Sequence, residues 1–174
     1  MSPITIVDYQ PQHQQYFEKF NRRWIEKYFK MEPLDEYVLT NPEEAILKPG
    51  GVILMALYEG ITAGTVALRK IEDTYEFTKM AVDEAYRRKG IAEALSYASF
   101  KKAKELGAGS VILYSNSILT PAIRLYEKLG FKHVPLGTGE YKRSDVKMII
   151  AINQNETVKL NSQLNGTTNT HSCT

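Results

Sequence analysis

Hydrophobic and polar positions change their period along the first third of the chain. Ile4 to Val7 alternate as in a short strand, and apolar residues then recur at helical spacing. The resulting aromatic face of an amphipathic helix consists of Phe17, Phe20, Trp24 and Tyr28. This face predicts a helix from about residue 12 to residue 30. Most such stripes pack in a core, although an exposed end is also suited to lining a pocket.

The middle of the chain predicts three strands separated by turns. Prolines and glycines interrupt residues 32–51, which leaves room for one or two short helices. Apolar runs then cover 52–58, 61–68 and 74–82, and we expect them to pair as antiparallel strands. Gly64 lies inside the second run and predicts a bulge, because glycine weakens a strand interior.

The second half of the chain alternates between helices and strands. The predicted elements are a helix over 90–107, a strand over 111–114, a helix over 120–130 and strands over 131–134 and 146–152. Because a helix separates the strand at 111–114 from the preceding strand, we expect these two strands to run parallel. The predicted fold class is therefore α+β (mixed α/β), with a single mixed sheet, largely antiparallel with a central parallel pair and flanked by helices.

Composition and charge limit the domain organisation and the partners. With 174 residues, of which 43% are hydrophobic, the chain can bury a core without disulfides or metals. From Asn153 onward the residues are mostly polar, so we predict one domain over 1–152 and a flexible polar tail over 153–174. The net charge of +2 does not suit a nucleic-acid-binding protein.

Cysteine and histidine positions argue against disulfides and metal sites. Cys173 is the single cysteine, and the three histidines, His13, His133 and His171, are far apart, so we expect no metal. The first residues lack the pattern of a secretory signal, and no apolar run reaches membrane-spanning length. We therefore expect a cytoplasmic protein with no membrane partner. The sequence leaves monomer and homodimer both open.

The segment from Met80 to Ala92 carries the clearest candidate chemistry. A predicted strand leads into a basic loop, Arg87-Arg88-Lys89, and a helix begins near Gly90. The first turn of a helix has unpaired amide groups and the positive end of the dipole, which favour an anion. Arginine side chains add charge and bidentate hydrogen bonds. This segment predicts a site for a phosphate or pyrophosphate group.

Two motifs, taken together, resemble the GNAT superfamily of N-acetyltransferases. Arg87-x-x-Gly90-x-Ala92 is similar to the pyrophosphate loop of that family, and the segment 122–131 is similar to its helix with a leaving-group tyrosine before Gly-Phe. Their order and separation make the resemblance specific, and it covers about residues 52–134. It implies an enzyme that uses acetyl-CoA as cosubstrate and transfers acetyl directly to an amine in a ternary complex, without a metal or covalent intermediate.

The resemblance also implies which residues hold acetyl-CoA. Main-chain groups of Met80, Ala81 and Val82 would pair with the pantetheine arm. The pyrophosphate would be held by Arg87, Arg88, Lys89, Gly90, Ile91 and Ala92. Many family members have an asparagine where this chain has Leu119, and Asn116 is our candidate for supplying that polar contact.

Acetyl transfer to an amine requires two proton movements. An alkylammonium of pKa about 10.4 must lose a proton before it attacks, and the leaving thiolate must gain one. Glu76 is our candidate base, because several family members keep a catalytic glutamate at this position. Strand period places it on one face with Thr78, Met80 and Val82. Tyr126 matches the family's tyrosine. The alternatives are an exposed strand glutamate and a core tyrosine.

The acceptor is expected to bind against the first helix and the segment after it. The candidate acceptor-binding residues are Trp24, Tyr28, Phe29, Asp35 and Tyr141. Six acids between residues 24 and 48, with the aromatic residues, suit an amine, whereas Tyr141, Lys142 and Arg143 would suit a carboxylate and hence an amino-acid-like acceptor. We predict a primary amine of a small molecule. A protein or peptide amine, and a non-catalytic acyl-CoA-binding module, are the alternatives.

Overall fold

The computed structural model describes residues 2–137 and 141–152, and in them seven strands form one sheet covered by four α-helices. The strands are β1 (Ile4–Asp8), β2 (Val52–Tyr58), β3 (Ile61–Ile71), β4 (Thr74–Val82), β5 (Ser110–Ser115), β6 (Lys132–Val134) and β7 (Val146–Ala151). The helices are α1 (Gln14–Tyr28), α2 (Pro33–Thr40), α3 (Ile91–Glu105) and α4 (Thr120–Leu129). Short helical turns cover Pro11–His13, Glu43–Leu47 and Glu84–Tyr86. The predicted tail lies outside the described residues.

The strand order β1-β2-β3-β4-β5-β7-β6 contains one parallel pair, β4 with β5, and every other neighbouring pair is antiparallel. This arrangement confirms the predicted fold class. The parallel pair is short, since only Tyr75 with Val111 and Glu76 with Ile112 are in register. Beyond Glu76 the two strands are no longer paired, and a gap opens in the sheet.

Side chains that alternate along the strands bury a separate core on each face of the sheet. The core beneath α3 and α4 includes Leu54, Val66, Leu68, Ile91 and Leu95. The core beneath α1 and α2 includes Phe17, Leu39, Ile53, Met55 and Ala67. No helix in residues 2–137 and 141–152 has both the length and the apolar character needed to cross a membrane.

The aromatic face of α1 changes from core to exposed surface along the helix. Phe17 and Phe20 are buried, Trp24 is partly buried, and the side chain of Tyr28 is 42% exposed. The prediction that most of this face belongs to the core therefore applies to its first half. Its last turn is accessible to a ligand.

β4 contains a bulge that the sequence pattern did not predict. Thr65 is opposite Ala81 and Ala67 is opposite Thr78, so one β3 residue faces two residues of β4, Lys79 and Met80. Lys79 has a φ of 53°, in the left-handed region that non-glycine residues seldom adopt. The extra residue shifts the alternation of side chains along the second half of the strand.

The bulge corrects the prediction that Glu76 shares a face with Met80 and Val82. Thr78, two residues after Glu76, pairs with Ala67 of the core under α1 and α2. Met80 and Val82 instead pack against the core under α3, where the Ser96 hydroxyl lies 3.9 Å from the Met80 sulfur. Strict period 2 fails here because the extra residue at the bulge reverses the side-chain faces.

The predicted bulge beside Gly64 is confirmed, since Ala63 is an extra residue between the pairs Ala56–Gly64 and Leu57–Thr62. A Cβ atom on Gly64 would lie 3.0 Å from Cγ2 of Ile91. Glycine therefore allows the first turn of α3 to approach the sheet closely. This contact places the N-terminus of α3 beside the end of β4.

Candidate active site

Two adjoining spaces lie where β4 and β5 separate. A groove of about 480 Å³ runs between the end of β4, the first turn of α3 and α4. A more enclosed cavity of about 80 Å³ lies between α1, β4, β5 and the segment before β7, which is residues 141–145. The residues that line both spaces are Trp24, Met80, Leu119 and Tyr126. A ligand in the groove can therefore meet a ligand in the cavity at these side chains.

The groove contains most of the residues predicted to hold a cofactor. Its lining includes Met80, Ala81, Val82, Arg87, Arg88, Gly90, Ile91 and Ala92. Gly90 caps α3 with a φ of 81°, and the first helical hydrogen bond runs from the Ala94 amide to the Gly90 carbonyl. The amides before Ala94 consequently have no helical partner and are suited to an anion. Lys89 lies outside this lining, with its ammonium 5.0 Å from the ring centroid of Tyr58.

Tyr126 lies where the groove meets the cavity. Its ring packs edge-on against Phe77 and Phe131, with centroids 5.9 and 6.0 Å apart. Burial raises the pKa of Tyr126 to about 12, so the phenol keeps its proton at neutral pH. Its hydroxyl has no hydrogen-bond partner among the described residues and is available to a ligand. The geometry suits a proton donor.

Glu76 is a buried carboxylate on the wall of the cavity. It is 2% exposed, and its Oε2 accepts hydrogen bonds from Nε and Nη2 of Arg69 at 3.1 and 2.9 Å. The alternative of an exposed strand glutamate is therefore wrong. Arg69 balances the charge but does not line the cavity. The role of Glu76 as a base stays a prediction.

A buried ion cluster supports one side of the cavity. Nζ of Lys79 donates to Oδ1 of Asp35 at 2.8 Å and to the hydroxyl of Tyr141 at 3.1 Å. The Arg143 guanidinium binds both oxygens of Asp35, at 2.6 and 2.8 Å, and also Glu32 at 3.0 Å. No group of three or more potential metal ligands occurs in the part of the chain that the structure describes.

Asp35 is the shared anion of this cluster. Burial alone would raise its pKa, but hydrogen bonds from Arg143 and the charge of Lys79 lower the pKa of Asp35 to about 2. Burial lowers the pKa of Lys79, and the Asp35 carboxylate opposes that shift. Asp35 is fully buried behind the wall of the cavity and does not line it. It therefore supports Lys79 and Arg143, which do line the cavity.

The other predicted acceptor residues divide between the two spaces. Trp24 lines both, Phe29 and Tyr141 line the cavity, and Tyr28 lines only the groove. Sequence reasoning missed Lys79, because the bulge was not foreseen. It also missed Asn21, a buried polar residue that lies four positions from Phe17 on α1 and lines the cavity. A polar residue on an otherwise apolar helix face was the available signal.

Asn116 holds the loop after β5 against the segment before β7. Its side-chain amide donates to the carbonyl of Arg143 at 2.6 Å, and its side-chain oxygen accepts from the amide of Ile118 at 2.9 Å. It lines the cavity and not the groove. Its predicted contact with a cofactor stays a prediction.

Residues 13–131 match the model of the acetyltransferase (GNAT) family. This match covers more than half of the chain, and the chain belongs to that family. The resemblance found in the two sequence motifs is thereby confirmed, and so is the class of enzyme.

Curated relatives match one part of the chain. N-acetylaspartate synthetase of Xenopus tropicalis is 39% identical over 89 residues, which are 50% of this chain and 33% of that protein. An N-alpha-acetyltransferase of Saccharolobus solfataricus is 42% identical over 73 residues, which are 41% of this chain and 44% of that protein. The chain thus spans about a third of the length of the synthetases that it matches.

Solved structures show the same fold. A GNAT-family acetyltransferase from Staphylococcus aureus Mu50 superposes with a TM-score of 0.78 at 20% identity, over 86% of this chain and 99% of that one. An N-acetyltransferase from Thermoplasma acidophilum, solved in complex with coenzyme A, gives a TM-score of 0.68 at 17% identity, over 85% and 98%. At these sequence identities, the similarity shows a shared fold alone.

Replacing Asp35→Asn should destabilise the protein by roughly 3–5 kcal/mol at pH 7, because Lys79 and Arg143 lose their buried anion. Chemical denaturation measures this loss. The carboxylate stabilises the fold above its unfolded pKa near 3.8, and that contribution disappears as the pH falls towards about 2. The difference between wild type and variant should therefore shrink over this acidic range.

Two further variants control the experiment. Asp73→Asn, in the exposed turn between β3 and β4, should change stability by less than about 0.5 kcal/mol. The double variant Asp35→Asn with Lys79→Met should recover part of the loss, because one buried cation is gone. Equal stability of Asp35→Asn and wild type at pH 7 would contradict the account of the cluster.

Proposed function

We propose that this chain catalyses transfer of the acetyl group of acetyl-CoA to a primary amine of a small molecule. The main support for this proposal is the junction at Met80 and Tyr126. There, a groove that is suited to an anion meets the more enclosed cavity. Acetyl-CoA supplies the acetyl group as an activated thioester. The groove would hold this cosubstrate and the cavity would hold the amine, so that transfer is direct.

The groove residues fit acetyl-CoA. Main-chain groups of Met80 to Val82 would pair with its pantetheine arm, as an added strand pairs with a sheet edge. Arg87, Arg88 and the first-turn amides of α3 would bind the pyrophosphate. The apolar walls of α3 and α4 suit the uncharged part of the arm.

Two side chains would move the protons. Glu76 would accept a proton from the acceptor ammonium, directly or through a water, which gives the nitrogen the lone pair that attacks the acetyl carbon. Tyr126 would donate its phenolic proton to the sulfur as the carbon–sulfur bond breaks. The raised pKa of Tyr126 keeps that proton in place until the thiolate forms.

The small volume of the cavity, about 80 Å³, favours a small acceptor. Arg143 and the Lys142 amide both bind Glu32, which ties the segment before β7 to the start of α2. The N-acetylaspartate synthetases among the relatives are named for a small acetylated amine. The N-alpha-acetyltransferases favour a second candidate, the α-amine of a polypeptide. Free amino acids and short peptides, compared as acceptors, distinguish these two candidates.

The cofactor assignment is tested by thermal unfolding with acetyl-CoA. Ligand at a hundredfold excess over its dissociation constant stabilises a folded protein by about 2.7 kcal/mol. Acetyl-CoA should raise the melting temperature of the wild type. It should not raise that of Gly90→Glu, because a carboxylate then occupies the pyrophosphate loop.

Gly107→Glu is the matched control. Gly107 lies two residues after the end of α3 and has a φ of 78°, close to the 81° of Gly90, and a Cβ at either position meets no atom within 4 Å. The two variants thus share the backbone strain, and only Gly90→Glu places charge in the groove. A rise in melting temperature with acetyl-CoA in all three proteins, or in none of them, would rule out this cofactor site.

Tyr126→Phe should lower kcat by about 10²–10⁴-fold while the stabilisation by acetyl-CoA is kept, because the variant loses a proton donor and not the groove. The measurement is release of CoA thiol with free amino acids and alkylamines as acceptors. Tyr97→Phe, at a position 57% exposed on α3, should leave kcat unchanged. An undiminished kcat in Tyr126→Phe would remove the phenol from the mechanism.

A further inference from the structure

In the part of the chain that the structure describes, four buried polar residues line the cavity. Asn21, Glu76, Tyr141 and Lys79 are respectively 1%, 2%, 7% and 8% exposed. Buried polar atoms are nearly always hydrogen-bonded. An atom of this set that lacks a partner within the chain therefore indicates which ligand atoms the cavity is built to receive.

Within the described residues, Asn21 has an unused hydrogen-bond acceptor and Tyr141 has an unused donor. The amide of Asn21 donates to the carbonyl of Phe17 at 2.9 Å, but its Oδ1 has no partner in the described part of the chain. The hydroxyl of Tyr141 accepts from Lys79, and its own proton has no acceptor among the described residues. Burial raises the pKa of Tyr141, so the hydroxyl keeps its proton and acts as a donor.

The buried ion pairs present their cations to the cavity, while the carboxylates that contact those cations lie behind its wall. Lys79 and Arg143 line the cavity, whereas their anionic partners Asp35 and Glu32 do not. The Tyr141 ring centroid lies 4.5 Å from Nζ of Lys79 and 4.5 Å from the guanidinium carbon of Arg143. A ligand near the Tyr141 hydroxyl therefore meets a neutral donor flanked by two cations.

Among the described residues that line the cavity, Glu76 supplies the carboxylate. Glu76 lines the cavity, while its partner Arg69 does not. A ligand thus meets an anion and an amide oxygen, from Glu76 and Asn21, as well as the cationic region around Tyr141. This distribution matches a ligand with one positive and one negative end.

We propose that the acceptor is an α-amino acid, whose carboxylate binds Tyr141 beside Lys79 and Arg143 while its amine binds Asn21 and Glu76. This inference rests on the proposed acetyl transfer. Asn21 and Tyr141 become specificity-determining residues, because each offers a buried polar atom that an acceptor without the matching group leaves unpaired. Simple alkylamines and polyamines lack the carboxylate and are poor acceptors.

The test compares acceptors that differ in the carboxylate alone. CoA release is measured with the free L-amino acids, and the best of them is then compared with its carboxamide and with the amine that lacks the carboxyl group. The expected result is a loss in kcat/KM of at least about 100-fold for either derivative. Such a loss matches an unpaired buried donor near two cations.

Tyr141→Phe separates recognition from structural support. The variant keeps the ring between Lys79 and Arg143 and removes only the hydroxyl. KM for the free amino acid should rise about tenfold or more, kcat should change little, and the preference for the acid over its carboxamide should shrink by the same factor. Asn21→Leu should raise KM for the acid and for its carboxamide equally, because both keep the amine.

Tyr37→Phe is the control, since Tyr37 is 49% exposed on α2. A purely structural role of Tyr141 would lower the melting temperature of its variant and leave the acid-to-carboxamide ratio unchanged, which would overturn the inference. Equal turnover of carboxyl-free amines would overturn it and leave the proposed function intact. Stabilisation by acetyl-CoA without turnover of any acceptor, peptides included, would overturn both.

Discussion

Lys79 occupies a bulge in β4 with a left-handed backbone, and its ammonium is buried against Asp35. A buried ammonium without a partner would cost several kcal/mol, so the carboxylate that α2 supplies stabilises the conformation of the bulge. The same carboxylate binds Arg143 from the segment before β7. One aspartate thus joins three separate parts of the chain around the cavity.

The bulge also explains how one strand serves two sites. Before the bulge, β4 presents Glu76 to the cavity beneath α1, and after it Met80 packs towards α3 and the groove. The early end of pairing between β4 and β5 opens the space in which the groove and the cavity meet. Tyr126, from α4, closes that junction. The proposed cofactor groove and the proposed acceptor cavity therefore adjoin at shared side chains.

Local sequence signals were sufficient for most of the fold and for the groove. The limits of β2 and β4 follow from apolar runs between turn signals, and the loop before α3 follows from its basic residues and Gly90. These features depend on neighbours in the sequence. Tyr126 followed from a motif that is likewise continuous in the chain.

The acceptor cavity was harder to predict because its contacts join distant residues. Arg143 and Asp35 are 108 positions apart, and no periodicity marks their contact. Strand alternation was misleading at Lys79, since the bulge depends on a partner from α2. Asn21 was a weak signal in the sequence, because it is a polar residue among apolar ones. Its role becomes clear only from the cavity that it lines. Tertiary contacts therefore determine which side chains line this cavity.

In the proposed mechanism, the acetyl group passes directly from acetyl-CoA to the acceptor at the junction of the groove and the cavity. Initial rates measured over a grid of acetyl-CoA and amino-acid concentrations test it most directly. Direct transfer should give intersecting double-reciprocal lines, and acetyl-CoA alone should leave the intact mass of the chain unchanged. Parallel lines, with an acetyl group on the chain after incubation with acetyl-CoA alone, would contradict it.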